Sequence, residues 1–375
     1  MLFPVTGPDS EMDDELKVIF DCFETEGTYL RGEPFGNGHI HDTFRIMTSE
    51  KTKDDYILQR MNNLVFRNIP ELQHNILRVT LHLRNKLSSI HGSDLKRECL
   101  RIVPAKDGRT WVTDKGGKYW RMFIFITNHR SYDVVDSPGK AYEGGKAIGR
   151  FQAMLADLRG EPLFETIPGF HDVEKRLDCF NSAVFSDPAG RVKRSFDEIH
   201  FINERAEKMK VILRLGREGK IPLRITHNDT KFNNILLDEN DRALCVIDLD
   251  TVMPGYVHYD FGDAVRTAAN VACEDEKDLT RVRMDIGLFR AYASGYLSET
   301  KHLLNEVEKE YLAFAPCLIT YTIALRFLTD YINGDHYFKI HHRQHNLQRA
   351  RSQMKLLKSM EDQYEKMLEI IMKLS

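Results

Sequence analysis

The 375-residue sequence lacks paired cysteines, long apolar runs and a clear excess of charge of either sign. Its six cysteines are scattered with no C-x-x-C spacing, which argues against a zinc site or a disulfide framework and indicates reduced thiols in the cytoplasm. No apolar run reaches the roughly 18 residues needed to cross a bilayer, and residues 1–15 are acidic without a hydrophobic signal core. With a net charge of −3, neither nucleic acid nor an anionic membrane is expected as a partner. We therefore expect a soluble cytoplasmic protein, and we expect a monomer.

The composition that remains, 42% hydrophobic and 29% charged residues, predicts a globular protein with a substantial core in two lobes. Short β-branched or aromatic segments fill the first third and predict an antiparallel sheet of about five strands. One helix interrupts them, because apolar residues recur at intervals of three and four over 69–83. Helical patterns follow, for example at 144–158 and 196–215. The predicted class is α+β, with an N-terminal lobe over 1–127 and a helical C-terminal lobe over 128–375. The strand segments are 28–31, 42–47, 55–60, 101–104, 110–113 and 119–127.

The most informative segment is the polar stretch 227–234, which lies between two short apolar runs. Asp229 precedes Asn234 by five residues, and Asp248 ends a later apolar strand, as in a kinase catalytic loop and its metal-binding strand. A carboxylate can accept the proton of an acceptor hydroxyl, and Mg²⁺ binds an amide oxygen and one or two carboxylates beside phosphate oxygens. Taken singly, each acid could belong to a solvated loop or a strand-end cap. Jointly they predict phosphoryl transfer, with Asp229 as base, Asn234 and Asp248 as metal ligands and Asp250 as a further candidate ligand.

Candidate nucleotide-binding residues come from the strand-rich lobe and its end. Gly36 and Gly38 form a G-x-G pattern on an expected hairpin, where backbone N–H groups can approach phosphate oxygens closely. A hairpin turn without function explains the two glycines equally well. Thr127 and Asn128 follow an apolar strand and are candidates for a hinge that offers backbone hydrogen bonds to adenine. An ordinary strand end is the alternative.

The lysine that a protein kinase carries on its next strand is missing here. That strand offers Gln59 and Arg60, which point to opposite faces of the sheet. Arg60 could bind phosphates through its planar guanidinium, or it could simply face solvent. Glu71, on the following helix, lies about 200° around from Ile69. The sequence therefore does not decide whether this chain forms the lysine–glutamate ion pair of protein kinases or an equivalent of it.

Motifs outside the catalytic loop carry a family resemblance over most of the chain. They include Gly149–Gln152 (GRFQ), Ile167–His171 (IPGFH), Met253–Gly255 (MPG), Asp260–Asp263 (DFGD) and Arg326–Tyr331 (RFLTDY). With the catalytic loop, they resemble the N-acetylhexosamine 1-kinases of the aminoglycoside phosphotransferase and choline kinase group. The loop is common to the whole group, whereas the segments 248–255 and 326–331 are narrower signals.

The resemblance implies a bilobal, protein-kinase-like fold and phosphorylation of the anomeric hydroxyl of N-acetylglucosamine or N-acetylgalactosamine, with ATP and Mg²⁺. It also implies an acceptor pocket that contains Asp229 and Arg326, with His39 and Tyr337 as further members. A guanidinium suits an acetamido carbonyl or a ring hydroxyl because its planar fork fixes orientation. Alternatively, Arg326 forms a structural salt bridge on its apolar helix, and Tyr337 serves packing alone.

Two other functions compete with this one. The first is a kinase of the same fold that acts on another sugar, choline, homoserine or an aminoglycoside. The second is a non-catalytic nucleotide-binding module, against which the intact Asp229, Asn234 and Asp248 argue. Clustered carboxylates at the acceptor would favour a cationic acceptor, and an arginine would favour a neutral sugar. The sequence does not place Asp260 and Asp263 relative to the acceptor.

Overall fold

The computed structural model describes residues 8–36 and 40–375. The chain divides into two compact units, Met1–Thr127 and Asn128–Ser375. The first contains an antiparallel sheet and a long helix, and the second is mainly helical, so the predicted α+β class is confirmed. Within the described residues, no helix combines the length and the apolar character needed to span a membrane.

The N-terminal unit is built on one antiparallel sheet. In its described residues the strands are β1 (Tyr29–Pro34), β2 (Asp42–Thr48), β3 (Tyr56–Met61), β4 (Ile102–Val103), β5 (Val112–Thr113) and β6 (Tyr119–Ile124). Their order is β1-β2-β3-β6-β4, with β5 also paired to β6. Phe44 lies opposite Leu58 across β2 and β3, and both side chains are buried because alternate residues face the core. The sheet has six strands where the sequence predicted about five, and each strand overlaps one of the six predicted segments; the two shortest, β4 and β5, both pair with β6.

The helix predicted between these strands is α2 (Ile69–Ser88). It begins where the Asn68 side chain accepts a hydrogen bond from the Glu71 N–H at 3.2 Å, with a proline in the first turn. The predicted apolar stripe is buried along its length. The spacing of apolar residues therefore identified both this helix and its core-facing side.

A second helix in this unit, α1 (Pro8–Phe20), was not predicted from the sequence. Leu16, Ile19 and Phe20 belong to the same buried cluster as the core residues of the sheet. The Asp13 carboxylate fixes the helix to β1 by accepting hydrogen bonds from the Tyr29 hydroxyl at 2.6 Å and from a backbone N–H at 2.9 Å. The apolar spacing of a helix is therefore present in this segment alongside its acidic residues.

The C-terminal unit consists of helices and two small two-stranded sheets, of which one is a hairpin. The predicted helix over 196–215 is interrupted at Lys210, which separates two helices. The helices of this unit are α3 (Pro138–Leu155), α4 (Val173–Ser186), α5 (Phe196–Met209), α6 (Val211–Arg217), α7 (Val257–Ala268), α8 (Ile286–Thr300), α9 (Glu306–Glu310), α10 (Ala315–Asn333), α11 (His345–Glu361) and α12 (Tyr364–Leu374). Its strands are β7 (Arg224–Thr226), β8 (Ile235–Leu237), β9 (Ala243–Val246) and β10 (Met253–Gly255), paired as β7 with β10 and β8 with β9.

Helices α3 and α8 pack with their backbones almost in contact. A Cβ atom at Gly145 would lie 2.1 Å from the Tyr292 carbonyl oxygen, and one at Gly295 would lie 2.0 Å from the Tyr142 carbonyl oxygen. Only glycine permits such an approach. The close packing fixes α3, which carries Gln152 to the catalytic loop described below.

Candidate active site

The β8–β9 hairpin brings the predicted metal ligands together. The Ile247 N–H donates a hydrogen bond to the Asn234 carbonyl oxygen at 2.9 Å, so Asp248 follows directly beside Asn234. The side-chain NH₂ of Asn234 in turn donates to the backbone carbonyl oxygen of Asp229 at 2.8 Å. The three residues predicted from spacing alone therefore meet at one end of the hairpin.

Asp260 on α7 binds the catalytic loop through several hydrogen bonds. Its carboxylate accepts hydrogen bonds from the backbone N–H groups of His227 at 2.9 Å and Asn228 at 2.6 Å, and from the Gln152 side chain at 2.6 Å. Its carbonyl oxygen accepts a bond from the Thr230 hydroxyl at 2.6 Å. Burial raises the pKa of Asp260, although the donors around it oppose that shift. Asp260, which the sequence did not place, is thus the anchor of the loop.

Asn228 adopts a left-handed backbone conformation, with φ at +66°. This region is uncommon for residues with a side chain, and asparagine tolerates it better than most. Its side-chain NH₂ donates to the carbonyl oxygens of Thr226 at 3.2 Å and Thr251 at 2.9 Å, and its Oδ1 accepts from the Thr226 hydroxyl at 3.0 Å. These bonds hold the turn that presents Asp229.

His227 connects the loop to the strand that leads to the metal ligands. Its Nε2 lies 2.8 Å from the Ile247 carbonyl oxygen, and a carbonyl only accepts hydrogen bonds, so Nε2 carries the hydrogen. Its Nδ1 accepts a bond from the Asp229 N–H at 3.2 Å. The neutral imidazole therefore joins the backbone of the predicted base to the metal-binding strand.

The carboxylate of Asp229 is partly exposed and faces two donors. Its Oδ2 lies 3.3 Å from the Asn234 side-chain nitrogen and 3.5 Å from the Lys231 ammonium. Burial by itself would raise the pKa of Asp229, but Lys231 and the other cations nearby outweigh it, and the pKa lies below its usual range. The carboxylate is therefore ionised at neutral pH and available to accept a hydrogen bond.

The donor set around Asn234 and Asp248 fits Mg²⁺. The NH₂ group of Asn234 is directed to Asp229, which leaves its Oδ1 as an oxygen ligand. Asp248 is exposed, with φ at +61°, and Asp250 is only 2% exposed. Within the described part of the chain, no group of three His, Cys, Asp or Glu side chains could hold a metal ion. A magnesium ion here would therefore take the rest of its oxygen ligands from phosphate and water.

Replacing Asp248 with asparagine is expected to weaken the Mg²⁺ dependence of ADP binding. Mutation of a residue that only hydrogen-bonds to a metal ligand costs about 10- to 100-fold in metal affinity. Asp248 is predicted to be a ligand itself, and the substitution removes its charge. The half-saturating Mg²⁺ concentration should therefore rise by at least about tenfold. Calorimetric titration of ADP at several Mg²⁺ concentrations measures the change. Glu239→Gln, the same kind of change in the exposed turn between β8 and β9, is the control. An unchanged Mg²⁺ dependence in Asp248→Asn would contradict the assignment.

Arg326 of α10 lies among aromatic rings. Its guanidinium carbon is 5.1 Å from the centre of the Phe170 ring and 5.5 Å from the centres of Tyr337 and Phe338, and Nη2 lies 3.4 Å from the Tyr337 hydroxyl. Among residues 8–36 and 40–375, Arg326 forms no ion pair, so the structural salt bridge left open by the sequence is not observed there. Burial, and then the charge of Arg326, lowers the pKa of Arg176. The site thus carries uncompensated positive charge.

The loop that carries Tyr337 is held by Asp330. The Asp330 carboxylate accepts hydrogen bonds from three successive backbone N–H groups, those of His336 at 2.9 Å, Tyr337 at 2.8 Å and Phe338 at 3.0 Å. The Asn346 side chain donates a fourth bond at 2.9 Å. Asp330 therefore orders two of the three rings around Arg326, those of Tyr337 and Phe338, a role for the RFLTDY motif that spacing alone did not indicate.

Comparison with known proteins identifies the family. A sequence model of the phosphotransferase enzyme family (APH) matches residues 31–298. The chain belongs to this family. Spectinomycin phosphotransferase APH(9)-Ia, solved with ADP and spectinomycin, is similar in structure, with a TM-score of 0.54, 12% identity and 99% of each chain covered. The microcompartment-associated aminopropanol kinase has a TM-score of 0.57 at 14% identity, covering 94% of this chain and 98% of that one. Choline kinase from Cryptosporidium parvum Iowa II has a TM-score of 0.55 at 14% identity, covering 95% of this chain and 98% of that one.

Membership of the APH family makes the chain a small-molecule kinase, as the catalytic loop predicted. At 12% to 14% identity, the solved structures establish the protein-kinase-like fold and leave the acceptor open. The finer resemblance to N-acetylhexosamine 1-kinases therefore remains a hypothesis about the acceptor.

In this APH family member, the residues predicted to bind nucleotide differ from one another in their surroundings. Gly36 has φ at +76° with open space where a side chain would lie. Gly38 and His39 lie outside the described residues. Arg60 donates two hydrogen bonds to Asp42 Oδ2, at 3.1 and 2.9 Å. Their roles in nucleotide or sugar binding stay predictions.

Gln59, one of the two candidates on the strand that lacks the lysine, pairs across the sheet with Arg121. Arg121 is buried, and its Nε donates to the Gln59 Oε1 at 2.9 Å. The antiparallel pairing of β3 with β6 could have indicated that Arg121 lies beside Gln59. Of the two hinge candidates, Thr127 accepts a hydrogen bond on its carbonyl oxygen from Arg97 at 3.2 Å, and Asn128 has φ at +54°. Their role also stays a prediction.

Proposed function

We propose that this APH family member transfers the γ-phosphate of ATP to the anomeric hydroxyl of N-acetylglucosamine or N-acetylgalactosamine and releases the sugar 1-phosphate. The observation that carries the proposal is the surroundings of Arg326. A guanidinium framed by aromatic rings, with no carboxylate paired to it in the described residues, repels the ammonium group of an amino-alcohol acceptor. It suits the hydroxyls and the acetamido carbonyl of a neutral sugar.

In the proposed reaction, Asp229 accepts a hydrogen bond from the anomeric hydroxyl and takes its proton late. The anomeric hydroxyl is more acidic than an ordinary alcohol, so a carboxylate with a depressed pKa suffices as the base. Asn234 and Asp248 would hold Mg²⁺, which neutralises charge on the phosphate oxygens when it is bound. Lys231, whose ammonium is 3.5 Å from Asp229, adds positive charge beside the acceptor oxygen.

The aromatic rings give the acceptor side a second feature that suits a sugar. Phe170, Tyr337 and Phe338 provide apolar faces around Arg326, and Tyr337 is half-exposed. A pyranose ring has both apolar C–H faces and polar edges, so rings and a forked donor at one place match both. The hydrogen bonds from Asp330 keep that arrangement in place before the acceptor binds.

The proposal is tested by ADP release from Mg-ATP with a panel of acceptors. The panel contains N-acetylglucosamine, N-acetylgalactosamine, glucose, galactose, choline, homoserine and kanamycin. Turnover of the N-acetylated sugars that is lost in Asp229→Asn supports the proposal. Turnover of choline, homoserine or kanamycin alone would keep the kinase and reject the sugar, and no turnover with ADP still bound would favour a binding module.

Replacing Arg326 with methionine is expected to raise the KM for the acceptor. A hydrogen bond to a charged group contributes about 1.5–3 kcal/mol, so KM should rise about 10- to 100-fold while KM for ATP changes little. Arg326→Lys keeps the charge but loses the planar fork, and should recover only part of the affinity. Arg343→Met, at an exposed position, is the matched control. An acceptor KM that stays at the wild-type value in Arg326→Met would remove Arg326 from the site.

A further inference from the structure

The irregular segment 156–172 connects α3 to α4 and contacts the catalytic loop and the strand end near Asp250. The Thr166 hydroxyl donates to the Asp250 carbonyl oxygen at 2.8 Å, next to the predicted metal ligands. Gly169 has φ at +67°, and its N–H is bound by a carboxylate four residues earlier at 2.8 Å. This turn directs His171 into the interior, where it is 5% exposed.

His171 contacts the catalytic loop through one ring nitrogen. Its Nε2 lies 2.7 Å from the Asn228 carbonyl oxygen, and because a carbonyl only accepts, Nε2 carries the hydrogen. Its ring packs against Phe170, with centres 4.6 Å apart, and against Tyr259 at 4.9 Å. Burial, opposed by the bond to Asn228, lowers the pKa of His171 to about 3. The imidazole is therefore neutral at working pH, and its buried position keeps it from acting as a base itself.

The bonded carbonyl belongs to the peptide unit that joins Asn228 to Asp229. Its oxygen is held by His171, and its nitrogen, the Asp229 N–H, donates to His227 Nδ1 at 3.2 Å. Both ends of this one peptide plane are thus fixed by imidazoles. The plane also follows a residue with φ at +66°, a conformation that needs support from its surroundings.

The neighbouring residue, Phe170, belongs to the acceptor side. Its ring lies against Arg326, and its carbonyl oxygen accepts two hydrogen bonds from Arg176, at 3.2 and 2.9 Å. The contact to the acceptor arginine and the contact to the catalytic loop therefore come from adjacent residues of a single segment. Rotating the Phe170–His171 backbone would disturb both.

We propose that His171 is a positioning residue, which orients the carboxylate of Asp229 by holding the Asn228–Asp229 peptide plane through the Nε2–H···O=C bond. The proposal rests on the proposed function, because it takes Asp229 as the base. In this proposal the Nε2–H group positions Asp229, and the packing of the imidazole ring does not. The bond to Asn228 is the polar contact that His171 makes with the loop in the described residues.

Two substitutions separate the donor from the ring. His171→Phe keeps an aromatic ring between Phe170 and Tyr259 but removes the donor, while His171→Gln removes the ring and keeps an N–H at a similar reach. Since misplacing a catalytic group by about 1 Å can cost about 10²-fold, kcat should fall about 100-fold in His171→Phe, with KM for ATP unchanged. His171→Gln should recover most of that loss. His302→Phe, at an exposed position, is the control for the substitution itself.

Equal losses in both variants, or none in either, would overturn the proposal, because packing alone would then explain the residue. If the wild-type protein phosphorylates none of the acceptors, the proposed function fails while His171 remains testable by ¹⁵N NMR of the wild-type imidazole. A signal that keeps Nε2 protonated and unchanged between about pH 5 and pH 8 supports the bond. A signal that titrates near the ordinary His pKa of about 6.5 overturns it.

Discussion

Asp229→Asn is expected to lower kcat by about 10²–10⁴-fold, the usual cost of losing a well-placed general base. The asparagine retains the shape and the hydrogen bond from Asn234, but it cannot take the acceptor proton. KM for ATP should change little, since Asp229 contributes to the acceptor rather than to the nucleotide. Single-turnover measurement with saturating acceptor isolates the chemical step.

The control for this substitution is Glu239→Gln, a matched carboxylate-to-amide change in the exposed turn of the β8–β9 hairpin. It should leave kcat at the wild-type value. A second check is a product analysis, because residual turnover in Asp229→Asn should give the same product more slowly. If Asp229→Asn keeps more than a tenth of wild-type kcat, a role as general base worth about 10² or more is excluded.

Asp260→Ala is expected to have the largest effect on stability. Each buried donor left without a partner costs about 1–3 kcal/mol. The change leaves the His227 and Asn228 N–H groups and the Gln152 side chain without their acceptor, so the free energy of unfolding should fall by about 3–5 kcal/mol, the lower part of the sum of these three losses. Activity should fall with it, since the same bonds hold the loop that presents Asp229.

Urea-induced unfolding followed by circular dichroism measures this effect. Asp260→Asn keeps one acceptor oxygen and should lose less stability than the alanine variant. Asp178→Ala, on the exposed side of α4, provides the control, with an expected change within about 0.5 kcal/mol. An Asp260→Ala protein as stable as Asp178→Ala would show that the loop does not depend on this carboxylate.

Local spacing predicted that Asp229, Asn234 and Asp248 lie close together, and the reason is physical. Asp229, Asn234 and Asp248 lie on a loop and a tight hairpin, so their relative positions follow from short-range pairing such as the bond from Ile247 to Asn234. The burial stripe of α2 was likewise readable, because helical periodicity is local. Both cases needed no knowledge of distant contacts.

Residues that act through distant contacts could not be placed from the sequence. Asp260 binds the loop from 32 residues away, and His171 binds it from 57 residues away. Asp330 was visible within a family motif, but its bonds to the loop of Tyr337 depend on how the chain returns after α10. Such contacts are set by tertiary packing, and one sequence without its fold does not contain a periodic signal for them.

Helix α1 was not predicted, although its apolar spacing is visible in the sequence. Leu16, Ile19, Phe20 and Phe23 recur at intervals of three, one and three, and all four are buried. Three of these residues lie in α1, and their spacing is the one that predicts an amphipathic helix. The signal was therefore available, and the acidic residues around it obscured a helix that periodicity predicts.

The central claim is that the phosphate is transferred to the anomeric hydroxyl of an N-acetylated hexosamine. Nuclear magnetic resonance of the product formed from Mg-ATP and N-acetylglucosamine or N-acetylgalactosamine tests it most directly. We predict coupling between phosphorus and the anomeric proton, together with loss of the phosphate in mild acid. Coupling to a proton at another ring position, or an acid-stable phosphate, would contradict the proposed function.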